Sequence, residues 1–109
     1  MAGRIAKRMA GPAQVSNVAA TKYTVAASRR GVIRHVHVQN PSGSAVTLTV
    51  SIGADAAAVR IFDTYSIAAN TVLDHYCYYV LEVAEIIQAF AGTNNILTLT
   101  IDGDEEVLA

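Results

Sequence analysis

Residues 32–52 read "VIRHVHVQNPSGSAVTLTVSI", and this stretch decides the fold. Apolar and polar residues alternate on both sides of a break at Pro41 and Gly43. Alternation with a period of two is the mark of a strand with one buried face. In the second run Val46, Leu48, Val50 and Ile52 point inward, and Thr47, Thr49 and Ser51 point outward. In the first run the valines mark the core. Val36 and Val38 then share the inner face with Arg34, while His35 and His37 lie on the outer face with Ile33 and Gln39. The Pro/Gly/Ser segment between the runs, residues 40–44, is expected to be a hairpin loop.

The same period recurs along the chain in "TKYTV", "AVRIFDTYSI", "TVLDHYCYYVL", "EIIQAFA" and "NILTLTID". These runs are rich in β-branched and aromatic residues. A second hairpin loop is expected at "AGTNN", residues 91–95, and turns at Gly53 and at "AAN", residues 68–70. Only "DAAAVRIF", residues 55–62, leans toward helix. Short strands with regular turn signals predict a single antiparallel β-sandwich, jelly-roll-like, of about seven or eight strands. It spans residues 18–109. Residues 1–17 contain Gly3, Gly11, Pro12 and three basic residues. They are read as an extended N-terminal arm that orders only on a partner. Removing residues 1–12 is expected to leave the β domain folded.

The chain has 109 residues, of which 52% are hydrophobic and 16% charged, enough for one small core. No apolar run approaches the roughly 20 residues needed to span a membrane, and the start lacks the apolar region of a secretory signal. The formal net charge is -1, but seven basic residues precede His35 with no acid among them. Beyond Arg34 lie one basic residue, Arg60, and all nine acids. Such a layout suits contact with an acidic surface or head-to-tail contact between copies.

Chemical motifs are few. His35 and His37 project from one strand face, and such a pair binds zinc, copper or iron when a third ligand joins it. His75 is the remaining histidine, with Asp74 beside it as a supporting partner. The pair resembles part of the cupin metal motif, but Pro41 and Ser42 stand where that motif has its Glu, and Gly31 is too close. The expectation is therefore no bound metal or cofactor, with His35 and His37 at an interface. Cys77 is the one cysteine and is expected to be inert. No nucleophile elbow, phosphate loop, zinc-protease helix or dinucleotide fingerprint occurs, so no enzyme is expected. The basic third holds one aromatic residue, Tyr23, which argues against direct nucleic-acid binding. Tyr76 and Tyr78 share one strand face, and Cys77 and Tyr79 the other. Tyrosines of this kind favour a protein interface.

The order "TKYTVAA", then a strand closing on Asn40 before a small polar turn, then "SIAAN" and "EIIQAFAGTNNILTLTIDGDE", resembles small bacteriophage virion proteins. The resemblance runs from Tyr23 to Glu106. Ala26 and Ala68 stand where those proteins usually have Pro. The resemblance implies a non-enzymatic β-sandwich on a phage particle, either a capsid decoration or minor capsid protein or a tail, collar, baseplate or fibre component. It implies assembly in the host cytoplasm, other virion proteins as partners, and a homo-oligomer, with a trimer favoured. The expected contact residues are Arg4, Lys7 and Arg8 in the arm, and His35, His37, Tyr76, Tyr78 and Tyr79 in the domain. A rival reading is a small metal- or ligand-binding β-barrel built on His35, His37 and His75.

Overall fold

A computed structural model describes residues 3–108. Its strands are β1 (Arg4–Gln14), β2 (Ala20–Thr24), β3 (Arg29–Asn40), β4 (Val46–Ile52), β5 (Arg60–Ile67), β6 (Thr71–Leu81), β7 (Ile86–Ala91) and β8 (Thr98–Val107). A single 3-10 turn, Ala57–Val59, is what becomes of the helical leaning before β5. Two four-stranded antiparallel sheets face one another, ordered β1-β8-β3-β6 and β2-β7-β4-β5. Successive strands alternate between the sheets, except that β4 and β5 are neighbours in one sheet. This strand order is that of a jelly roll.

The alternation corrects two expectations. Residues 40–44 do not close a hairpin, because β3 and β4 lie in different sheets. Residues 91–95 likewise carry the chain from β7 to β8 across the sandwich. Local turn chemistry marks a reversal, but it does not say whether the next strand pairs beside the last or packs across from it.

The segment read as an arm is also different. Residues 4–14 form β1, an edge strand paired to β8 from Arg4↔Glu106 to Gln14↔Thr98. Met9 and Val15 are buried in the core. Polar and basic side chains obscured the pattern because much of β1 is exposed. Gly11 and Pro12 do not end the strand. Pro is tolerated at an edge, and Gly11 has φ +72, with a Cβ there colliding with the Leu99 carbonyl oxygen. Residues 1 and 2 of the expected arm lie outside the described residues.

The inner faces meet as predicted for β4: Val46, Leu48 and Val50 are buried with Val36, Val38, Ile33, Ile87, Leu97, Leu99 and Ile101. Ile33 belongs to this core and Arg34 is exposed, the reverse of the expected faces. A register shift between Ile33 and His35 gives β3 one residue more than β8 and flips the parity of β3, while β6 carries an extra residue of its own between Tyr79 and Tyr76 at the same level. Thr49 and Ser51 point outward yet are each 1% exposed; Asp55 of the β4–β5 connection meets Ser51, and Thr64 of β5 meets Thr49. Asn40 is the one wholly buried amide at the far end. Its Nδ2 donates to the carbonyls of Ser44 (2.9 Å) and Ile67 (3.0 Å), and its Oδ1 accepts from Ser42 N–H (3.0 Å) and Ser42 Oγ–H (2.8 Å). One side chain thus ties the β3–β4 loop to the end of β5.

Candidate functional site: the outer face of the β1-β8-β3-β6 sheet

The charge asymmetry of the sequence is resolved by strand order. β8 carries Asp102, Asp104, Glu105 and Glu106, and it lies between β1 and β3, which carry most of the basic residues. Arg4 and Arg30 both reach Glu106, at 3.0 and 3.2 Å. Arg34 reaches Asp104 at 3.0 Å, Lys7 approaches Glu105 at 3.9 Å, and Arg30 also meets Glu82 at 3.3 Å. Arg4 holds the Glu106 carboxyl below its usual range. Arg8 stands across from Asp102 in register. The basic segment therefore spends much of its charge inside the chain, which the sequence, read as a line, hides.

The histidine pair lies where the core valines require. His35 and His37 project outward from β3, and Asp74 of β6 sits directly across from His37 in register. Asp74 Oδ1 accepts from His35 Nε2–H at 2.8 Å and from His37 Nδ1–H at 2.7 Å. The two imidazoles, His37 foremost, lower the Asp74 carboxyl from its ordinary value. The far nitrogen of His35, Nδ1, faces Asp102 Oδ2 at 3.9 Å. The His35 ring lies flat on Tyr76, with centroids 4.4 Å apart and planes 5° apart.

His75 does not join this group. It is on the opposite face of β6, against Phe62 and Tyr79. The expected His35, His37 and His75 set is therefore not assembled, and Asp74 serves the other two histidines instead. Tyr79, expected at an interface, also turns inward and packs against the core. Cys77 packs there too, and burial pushes its thiol up.

Tyr76 and Tyr78 do project outward, at 76% and 59% exposure. Val72 and Val80 extend the row at 51% and 41%. Arg34 lies 5.7 Å over the Tyr78 ring. β6 is the edge strand of its sheet, so this apolar row flanks unpaired backbone groups. Two open depressions border the Val72 end of this row, one against Asn40, Pro41, Asn70 and Thr71 and the other against Tyr65, Ile67 and Leu73. Among the described residues no helix is long and apolar enough to cross a membrane.

No family model matches the chain, and no curated protein matches it. Solved structures do share the fold. A chain of the T13 viral particle of infectious bursal disease virus matches at 8% identity with a TM-score of 0.59, over 98% of this chain and 31% of that one. A Bacillus endospore appendage subunit, from disulfide-linked pili, matches at 10% identity with a TM-score of 0.50, over 100% of this chain and 88% of that one. The chain thus spans about a third of the virus protein and most of the pilus subunit. At such identities the likeness is one of fold.

Proposed function

We propose that the chain is a non-enzymatic structural subunit of a bacteriophage particle, a capsid decoration or minor capsid protein that self-associates. The observation that carries this reading is the row Val72, Tyr76, Tyr78 and Val80 on an exposed edge strand. Monomeric proteins blunt such edges with charge, proline or cover. Here the edge is long and aromatic, the composition favoured at protein contacts. Asp74 interrupts this row between Val72 and Tyr76, but its carboxylate is held by His35 and His37, so contact would bury the row with that charge already partnered. The domain's likeness to part of a viral-particle protein supports the class, as does the sequence resemblance to small phage virion proteins. β1, being a strand, offers docking as an ordered basic edge rather than as a loose arm.

A tail, collar or fibre component is the second reading. It is favoured by the match to nearly the whole length of a pilus subunit. Disulfide linkage does not carry over with it. A chain of cross-linked subunits needs two cysteines in each, and these 109 residues hold one.

Light scattering on the purified protein, with chelator present, tests both readings. A trimer or larger ring is expected, and Tyr76→Ser with Tyr78→Ser should reduce it to monomer without lowering the melting temperature. An open-ended polymer would favour the fibre reading. A monomer at high concentration that also fails to bind phage particles would sink both.

A further inference from the structure

We propose that His35, His37 and Asp74 form a binding site for a divalent transition metal of the zinc, copper and nickel group. The site lies within one chain and does not depend on the particle reading.

The ligand atoms already converge. His35 Nε2, His37 Nδ1 and an Asp74 carboxylate oxygen lie within 4.8 Å of one another. Two imidazoles and one carboxylate are a donor set for zinc and its neighbours, not for calcium or magnesium, which take oxygen ligands. Tetrahedral bonds of about 2.0–2.2 Å place neighbouring ligands about 3.3–3.5 Å apart. Asp74 Oδ1 is now 2.8 and 2.7 Å from the two nitrogens. Each pair must open by roughly half an ångström to admit the ion, which the exposed Asp74 side chain accommodates by a small rotation. A fourth position faces solvent and takes water.

Supporting groups are in place as well. Metal binding at His35 Nε2 moves the ring proton to Nδ1, and that nitrogen faces Asp102. A carboxylate behind the ligating imidazole fixes its tautomer and raises its basicity. Tyr76, stacked on His35, holds the ring plane. The β3 register shift before His35 contributes too, because without it the pair would turn into the core. Each imidazole binds through the nitrogen that now donates to Asp74, its ring proton passing to the other nitrogen, and the Asp74 carboxylate offsets part of the ion's charge on an exposed face.

The test is a zinc titration of chelator-stripped protein against a colorimetric zinc indicator. One zinc per chain is expected. His35→Ala, His37→Ala and Asp74→Ala should each weaken binding at least 10-fold, and Asp102→Asn by about 10-fold. His75→Ala, on the other face, should leave it unchanged. In the unaltered protein, zinc should move the NMR ring signals of His35 and His37 but not those of His75, a readout that needs no variant to fold. Absence of stoichiometric zinc overturns the proposal. So does binding that survives the loss of both His37 and Asp74, or that depends equally on His75.

Discussion

On the outer side of the β2-β7-β4-β5 sheet, the polar side chains are small and covered. Ser51 Oγ donates to Asp55 at 2.8 Å, Thr49 Oγ1 accepts from Thr64 N–H at 3.0 Å, and Asp55 N–H donates to Gln88 at 2.9 Å. Arg60 clamps Asp55 with two nitrogens, both at 3.0 Å, and lies over Phe90. On the outer side of the β1-β8-β3-β6 sheet no connection among the described residues folds over the surface. Large side chains stand in cross-strand rows there, acid against base, histidine against aspartate, aromatic ring against histidine. Both faces arise from the same alternating pattern. The β4–β5 connection, with Arg60 and Thr64 of β5, makes the difference: it covers one face and has no counterpart among the described residues of the other.

That contrast can be broken at its seams. The largest effect should come from deleting residues 1–12. Loss of β1 uncovers Val15 and an edge of β8, so cooperative thermal unfolding should vanish. A truncated domain that still melts sharply would restore the independent arm. Next, Asn40→Ala takes the side-chain partner from the Ile67 carbonyl and from the Ser42 N–H and should cost about 3 kcal/mol in denaturant unfolding. A loss under about 1 kcal/mol would mean that water replaces the amide. Arg60→Ala should lower the melting temperature measurably on the covered face, whereas Arg34→Ala on the open face should barely move it, as exposed ion pairs contribute little. Equal effects would erase the distinction between faces.

Acid should separate the faces further. Arg60, followed by Ser51, holds Asp55 below its ordinary 3.8, and Arg4 holds Glu106 below its ordinary 4.5. A carboxyl depressed in the folded state contributes stability that is present above its unfolded value and lost as pH falls through the folded one. Melting temperature should stay flat from pH 7 to about 5 and decline below that range. Arg60→Ala should flatten the Asp55 part of the decline, and Arg4→Ala the Glu106 part. Tyr23 gives the alkaline counterpart. Burial, then its hydrogen bond to Glu105, raises its phenol above the ordinary 10.0. The stability it gives is present below pH 10 and lost above it, and Tyr23→Phe should remove that loss.

The two-residue period of "VTLTVSI" and "ILTLTID" was enough to place Val46, Leu48, Val50, Leu97, Leu99 and Ile101 in the core and to yield the all-β sandwich. It failed where a local event changes parity or a distant one changes exposure. The residue that β3 inserts at Arg34 relative to β8 exchanged Ile33 and Arg34 between faces, and no residue type there announces a bulge. Val15 and Met9 were hidden among glycine, proline and basic residues because an edge strand buries so little of itself. The outward direction of His35 and His37 was legible from Val36 and Val38. Their partner was not. Asp74 reaches them only through the β3–β6 register, set by pairing across more than thirty intervening residues. His75, offered as the remaining histidine, is turned to the opposite face by the alternation that points its neighbour Asp74 outward.

The place of β8 has a bearing on how the protein is made. The last strand inserts between the first and the third. β8 must therefore be synthesised before the sheet can close, and until then β1 has no neighbour and β3 keeps an open edge. With most pairings joining strands distant in the chain, folding belongs to the slow, millisecond-to-second regime of sandwiches. Nascent copies at high local concentration meet while these edges are still unpaired, so synthesis rate and chaperone supply, as well as the stability of the finished domain, govern how much of it folds.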